Sequence, residues 1–294
     1  MMKIFNSLLF KKLLSKFGFY FNKIYIHNLK FTDIKHSALK NFYFNKNSEI
    51  ETFKLLKGSN YETFIDIGAY FGYFSIYAKL KSNINNVFAY EASFNNFKKL
   101  KKFIKLNKAD IKIFNNAVGN KKEIVKFYTP AYDKKEKFPS HGRLIDPKSD
   151  KTDLYSKERF EIHETEMLPL KEILKKNVSG LTLIKLDIEG YEETSLRSIE
   201  RELKSNNQID LLVEILINDK NKISLFNFIR ALGYNSYLLT NAGLIFEDRP
   251  LTLPKPYHDS SIGSLRTLWK DHFFTKKSKT EISELNNKIF KYNI

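Results

Sequence analysis

Thr63-Phe64-Ile65-Asp66-Ile67-Gly68-Ala69-Tyr70-Phe71-Gly72-Tyr73-Phe74-Ser75 is the stretch on which the fold turns. The apolar run Phe64 to Ile67 predicts a buried parallel strand, and Phe74 to Leu80 a helix packed back upon it. Between them, Asp66-x-Gly68-x-x-x-Gly72 predicts a tight strand-to-helix turn, because glycine tolerates unusual dihedrals and close backbone approach. The helix start then directs free N–H groups at whatever fills the crevice. A dinucleotide fingerprint, G-x-G-x-x-G, would crowd the backbone against a pyrophosphate. Here the glycines are four apart and an acid precedes the first by two, which leaves room for a ligand without a diphosphate and sets a carboxylate beside it.

The next strand supports the same reading. Asn86 to Tyr90 is apolar and ends in Glu91, nineteen residues past Gly72. An acid about 20 residues beyond such a turn accepts hydrogen bonds from ribose hydroxyls, and a carboxylate offers enough lone pairs for a vicinal diol. The rival role for Glu91 is a helix cap or a surface position. Phe94 to Leu106 follows as a helix with Phe94, Phe97, Leu100 and Ile104 on one side. Ile111 to Phe114 is a third strand, running into Asn115-Asn116-Ala117-Val118-Gly119, and Glu123 to Tyr128 an extra strand.

A second informative stretch runs from Leu181 to Glu192. Leu181-Thr182-Leu183-Ile184-Lys185-Leu186 predicts a buried strand whose carboxyl end carries Asp187, Glu189 and Glu192. Ligands of open α/β sheets bind at that end of the strands, and acids gathered there are costly unless they bind something. Leu211 to Ile215 brings a fourth acid, Glu214, to the same edge. Glu189-Gly190 has a structural alternative, capping the helix that follows. Upstream, Glu166 to Leu170 predicts a short strand entering a helix. Residues 130–163 are polar and irregular, predict a loop placed where a lid would fall, and contain His141 in a Ser-His-Gly-Arg setting. Tyr237 to Leu239, a turn at residues 240–243 and Leu244 to Phe246 predict an antiparallel pair closing the sheet. Trp269 and a charged helical tail follow.

Composition narrows the function classes. With 294 residues and 42% hydrophobic residues, one large domain with appendages is expected. The absence of cysteine excludes disulfide frameworks, thiolate metal sites and a cysteine nucleophile, and fits a cytoplasmic protein. The net charge of +17 comes almost wholly from lysine. It fits an anionic partner or a solvated surface encoded by AT-rich DNA. Scarce arginine and the lack of any recognition motif weigh against a specific nucleic-acid site. Residues 1–60 carry eleven lysines against three acids. Phe5, Leu9, Leu13 and Phe17 recur every four residues, which predicts a basic amphipathic helix rather than a span of about 18 apolar residues. Such a helix packs on the domain, on a second copy in a homodimer, or, through residues 1–20, on the inner face of a membrane.

Asp66-x-Gly68-x-x-x-Gly72 resembles motif I of the S-adenosylmethionine (SAM)-dependent methyltransferases. Taken with Tyr90-Glu91, Asn116 to Gly119, Ile184-Lys185-Leu186-Asp187-Ile188-Glu189-Gly190-x-Glu192 and Leu212 to Ile215, in that order, the chain resembles the FkbM-type enzymes over about residues 60–250. Departures are Tyr70, where the family commonly has Asn, and Ala92, where it has Pro. The resemblance implies an α/β, class I Rossmann-like fold: a mainly parallel seven-stranded sheet with an antiparallel last strand, preceded by an N-terminal helical segment. The division is 1–60 extension, 61–250 core and 251–294 tail. It implies SAM as cofactor and most often an oxygen acceptor, such as a sugar of a surface polysaccharide or capsule. Asp66, Gly68, Ala69, Tyr70, Phe71 and Gly72 are then expected around the amino-acid end of SAM, Glu91 at the ribose, Asn116 and Ala117 beside the adenine, and Asp187 between the cofactor and the acceptor. Candidate bases are His141, Asp187, Glu189 and Glu214; a metal is not expected, though magnesium on Asp187 and Glu214 is the minority alternative that oxygen ligands allow. Rival readings are an N-methyltransferase, a nucleotide-dependent oxidoreductase that would need the missing G-x-G-x-x-G, and an interaction protein that keeps the fold.

Overall fold

Thr63–Ile67 is a strand buried at every position, because parallel neighbours flank it on both sides and helices cover both faces. The computed structural model describes residues 24–26, 28–32, 50–130, 142–144, 146, 160–216, 220–240, 243–248 and 269–291. The chain begins there with β1 (Ile24–Ile26) and β2 (Leu29–Phe31), an antiparallel hairpin, and α1 (Ile50–Gly58). The first half of the domain alternates β3 (Thr63–Ile67), α2 (Tyr73–Lys81), β4 (Asn86–Tyr90), α3 (Phe94–Asn107) and β5 (Lys112–Phe114). An insertion follows, with β6 (Ala117–Gly119), β7 (Glu123–Pro130) and β8 (Phe160–Pro169). The second half runs through α4 (Leu170–Asn177), β9 (Thr182–Leu186), α5 (Glu192–Arg197), α6 (Glu200–Ser205), β10 (Ile209–Leu216), α7 (Lys220–Ala231), β11 (Asn235–Thr240), β12 (Gly243–Glu247), β13 (Trp269–Thr275) and α8 (Lys279–Lys291).

The main sheet has the order β12-β11-β13-β10-β9-β3-β4-β5. From β10 to β5 every pairing is parallel, whereas β13 is antiparallel to both β10 and β11, and β12 to β11. This is the α/β, mainly parallel sheet expected of a class I methyltransferase. Alternation divides the core in two. Phe64, Leu183, Leu212 and Phe273 face a layer built from α1, α2, α8 and the β1-β2 hairpin, with Phe53, Ile76 and Ile289 buried there. Ile65, Ile184, Leu211, Val213 and Phe274 face the layer of α4 to α7, against Leu174, Leu196, Leu203 and Phe226. The order of the strands reverses around β3 and β9, which opens the crevice at their carboxyl ends.

Four expectations are corrected. The sheet has eight strands rather than seven, and it does not stop at residue 250. Trp269–Thr275 lies inside it, not in a tail, because its polar residues find partners: Asp271 accepts from Thr52 on α1, and His272 pairs with Glu247 on β12. The extension before residue 61 is not wholly helical, since Ile24–Ile26 pairs antiparallel with Leu29–Phe31, whose Phe31 packs on Tyr73 and Phe103. The strand expected over Glu166 to Leu170 begins at Phe160 and pairs along its length with β7, so residues 130–163 are not all loop. The amphipathic segment expected over residues 1–17 lies outside the described residues.

Candidate active site

The turn after β3 is held by its own backbone. Gly68 and Ala69 donate N–H groups to the Tyr90 carbonyl at 3.0 and 2.9 Å, and Asp187 N–H donates to the Ile67 carbonyl at 3.0 Å. Those bonds bring the turn against the end of β9. A Cβ on Gly68 would lie 1.9 Å from the Asp187 carbonyl oxygen, and the backbone there has φ +83°. Gly72, at φ +78°, would drive a Cβ into Leu100 at 2.3 Å. Both glycines are therefore required for close approach and for left-handed backbone. Tyr70 also adopts φ +52° and stacks on Phe71 at 3.8 Å. The Phe71 ring is turned into the core against Phe103, so of Phe71 only the backbone faces the turn.

Two carboxylates flank this turn. Asp66 is 1% exposed, and its Oδ2 accepts from Ser75 Oγ on α2 while its Oδ1 is buried without a partner. Glu91 accepts from Tyr70 N–H at 2.7 Å, Ser93 N–H at 2.9 Å and Asn96 Nδ2 at 3.4 Å. Burial pushes Glu91 up to about 7 despite those donors, and raises Asp66 although Lys185 pulls it down. Asn116 is half-buried and donates to the backbone carbonyl and the carboxylate of Glu166, both at 3.2 Å, while Ala117 opens β6 beside Met167. Asn115 donates to the Glu91 carbonyl at 2.8 Å, which ties that corner to the end of β4.

The acidic edge is organised by a residue that spacing alone did not single out. Lys185 is the only charged side chain within the apolar run of β9, is 3% exposed, and lies on the face that carries Asp187 two residues on. Its Nζ meets Asp187 Oδ2 at 2.8 Å and sits 5.4 Å from the centre of the Phe74 ring. Burial works against the ammonium, but Asp187, Asp271 and Asp66 together outweigh it and hold Lys185 charged. Across the sheet, Asp66 is the register partner of Lys185, and Glu214 is the register partner of Asp271. Asp271 Oδ2 accepts from Thr52 Oγ1 at 3.1 Å. Burial raises Asp271, and raises Glu214 well above the carboxylate range, with Asp187, Glu189 and Asp271 pushing the same way. The sequence signal for Lys185 was a lysine inside a buried run; Asp271, Thr52 and Ser75 carried none.

The structure therefore brings together Asp66, Asp187 and Glu214 and adds Lys185 and Asp271. Glu192 is not part of that group. Its carboxylate accepts from Ile188 N–H at 3.0 Å and Gly190 N–H at 2.9 Å, so it braces the turn in which Glu189 takes φ +54°. His141 lies outside the described residues. Among the described residues no three His, Asp or Glu side chains are grouped to hold a metal ion, and magnesium on Asp187 and Glu214 is not carried further.

A protein-family model, the methyltransferase FkbM domain, matches residues 66–238, more than half of the chain. The chain belongs to the FkbM methyltransferase family. A comparison with curated proteins gave no match. Among solved structures, this FkbM methyltransferase is similar to precorrin-6y C5,15-methyltransferase from Geobacter metallireducens GS-15, at 12% identity and a TM-score of 0.40 over 77% of this chain and 86% of that one. It is also similar to M. jannaschii TYW2 in complex with AdoMet, at 11% identity and a TM-score of 0.37 over 86% and 83% of the two chains. The family assignment rests on the 66–238 match. SAM is the methyl donor of the family, and the site suits it: a tight turn whose Gly68 lets the backbone close against β9, a buried carboxylate oxygen on Asp66 without a partner, and, among the described residues, three carboxyls acting on Lys185 where a sulfonium and an ammonium need counter-charge.

Proposed function

We propose that this FkbM methyltransferase moves the SAM methyl group to a hydroxyl of a saccharide or a saccharide-linked metabolite, as in modification of a surface glycan. The observation that carries this reading is the carboxyl group cluster of Asp187, Glu214 and Asp271 at the carboxyl ends of β9 and β10, beside the glycine turn. A sugar hydroxyl must lose a proton as it is methylated, so a proton acceptor at the acceptor side assists. A neutral amine needs none. When bound, SAM supplies a methyl group on a positively charged sulfur. In this reading Asp66 and the backbone of residues 68–72 hold the amino-acid end, with Ala69 and Tyr70 in the cradle. Glu91 holds the ribose, and Asn116 and Ala117 border the adenine. Asp187 stands at the acceptor, paired with Lys185 at 2.8 Å, and the base is one of Asp187, Glu214, Glu189 and His141. Alignment of the acceptor with the donor is worth about 7–11 kcal/mol.

The same reading has the enzyme work near a membrane, with residues 1–20 in peripheral contact. Among the described residues no helix is long and apolar enough to cross one. The deciding experiment is transfer of labelled methyl from SAM to a panel of saccharide glycosides, nucleotide sugars and small amines. Label in saccharides that is base-stable and lost in Asp187→Asn is the expected result. Label in amines alone would replace the hydroxyl acceptor by an amine.

A further inference from the structure

We propose that Glu166 is a positioning residue for base recognition: it turns the amide of Asn116 so that Asn116 Oδ1 accepts from the 6-amino group of the cofactor's adenine. The inference rests on the reading that lays SAM across the carboxyl ends of β3, β4 and β5.

The sheet order sets where the base lies in that reading. The glycine turn follows β3, Glu91 follows β4, and β5 is the outer neighbour of β4. With the amino-acid end of SAM at the glycine turn and the ribose at Glu91, the base extends past β4 toward the residues that follow β5. Those residues are Asn115 and Asn116. Asn115 Nδ2 donates to the Glu91 carbonyl at 2.8 Å and to the Ala92 carbonyl at 3.2 Å, which fixes this corner to the backbone of the ribose carboxylate.

Asn116 is oriented from the other side. Ala117 pairs with Met167 in the parallel register of β6 and β8, which sets Asn116 beside Glu166. Asn116 Nδ2 donates to the Glu166 carbonyl and to Glu166 Oε2, both at 3.2 Å. Lys122, between β6 and β7, lies 3.4 Å from the other carboxylate oxygen, Oε1. Two acceptors on one side decide which way the amide lies: a flipped amide would set Oδ1 against two oxygens, one of them charged, whereas the NH2 group satisfies both. Oδ1 takes no donor from the protein and is not among the sealed polar atoms. Of the polar groups on adenine only the 6-amino group donates, since N1, N3 and N7 accept. An amide whose NH2 is engaged by Glu166 therefore bonds to adenine through that amino group. A 6-oxo base would set oxygen against oxygen at the same place. The strand that supplies Glu166 belongs to the three-stranded insertion sheet, so the insertion contributes to cofactor selection from outside the main sheet.

The test is calorimetric titration of S-adenosylhomocysteine and S-inosylhomocysteine, which differ in the 6-amino and 6-oxo groups, into wild type, Asn116→Ala, Glu166→Ala and Glu166→Gln. The Glu166 side chain is 42% exposed, so its replacement opens no core. Wild type is expected to bind the adenosine compound about tenfold or more tighter than the inosine compound, and Asn116→Ala to bring the two within about threefold. Glu166→Ala should narrow the preference, and Glu166→Gln, whose side-chain carbonyl still accepts from Asn116, should restore it. Equal binding of the two compounds by wild type overturns the proposal, as does a preference that survives in Asn116→Ala or is untouched in Glu166→Ala. Weakening of both compounds alike in Glu166→Ala marks a structural role alone and overturns it too. Binding of neither compound by wild type would instead overturn the cofactor reading itself, a failure distinct from loss of base preference.

Discussion

The two edges of the sheet each bury charge, and they do so differently. At the amino-terminal edge Asp210 is fully buried, bonds to Lys277 and accepts from Tyr61 OH at 2.7 Å. Lys276 beside it donates to the Leu203 carbonyl at 2.7 Å. One acid meets one ammonium there, and the result is a clamp that ties β10 to the chain leaving β13. At the carboxyl-terminal edge, among the described residues, Lys185 is acted on by three acids, Asp187, Asp271 and Asp66. Each cluster keeps one buried carboxylate oxygen without a partner, Oδ1 of Asp210 and Oδ1 of Asp66. They differ in that Asp210 bonds to Lys277, whereas Lys185 is acted on by Asp187, Asp271 and Asp66 together.

Removing Lys185 from the acidic edge should have the largest effect. Lys185→Met is expected to lower stability by about 3 kcal/mol, in line with breaking a buried pair, measured by denaturant unfolding. The loss should grow from pH 5 to pH 8. Asp66, Asp271 and Glu214 have folded pKa values raised above the unfolded ones, so they favour the folded state when protonated and lose that contribution as pH rises. A loss that does not vary with pH would break the distinction between the edges. Asp210→Asn, at the other edge, should cost about 3 kcal/mol of stability while S-adenosylhomocysteine affinity in the folded protein stays within twofold of wild type, about 0.4 kcal/mol.

Glu91 sharpens the comparison from the ribose side. Glu91→Gln should weaken S-adenosylhomocysteine by about 1.5–3 kcal/mol, the range for a hydrogen bond to a charged group. Because burial raises Glu91 to about 7, its folded-state contribution to stability is present below about 4.5 and lost as pH climbs through 7. Cofactor binding has the opposite sign, since the ribose hydroxyls donate to the ionised form: affinity should rise through pH 7 in wild type, and this rise should be absent in the variant. The smallest effect is expected at Tyr70→Asn. Asn tolerates φ +52° better than Tyr, but the stacking on Phe71 is lost, so the net change in melting stability should stay within about 1 kcal/mol.

Much of this was legible in the residues. Phe64 to Ile67, Val87 to Tyr90, Leu183 to Leu186 and Leu211 to Ile215 are continuous apolar runs, which is how buried parallel strands read. Gly68 fixed the turn because a Cβ there would run into the Asp187 backbone carbonyl, and Gly72 because its φ of +78° is left-handed. The strand Trp269–Thr275 was not legible, since Lys270, Asp271 and His272 read as solvent-facing until Thr52, Lys185 and Glu247, far away in sequence, are folded against it. Asp271 was missed at the site for the same reason. Glu192 was over-read: an acid at the end of a strand can serve the backbone, and here it bonds to two N–H groups of the turn.

The position of β13 has a consequence for how the protein is made. Its two neighbours, β10 and β11, leave the ribosome with their facing edges unpaired, and Ile209 to Ile215 is among the most apolar stretches of the chain. Neither edge closes until residue 275 has emerged. For that interval the nascent domain carries an open slot of strand width, the kind of template on which a foreign strand or a second nascent copy pairs. Completion of the sheet therefore waits on a strand made after both of the strands it joins.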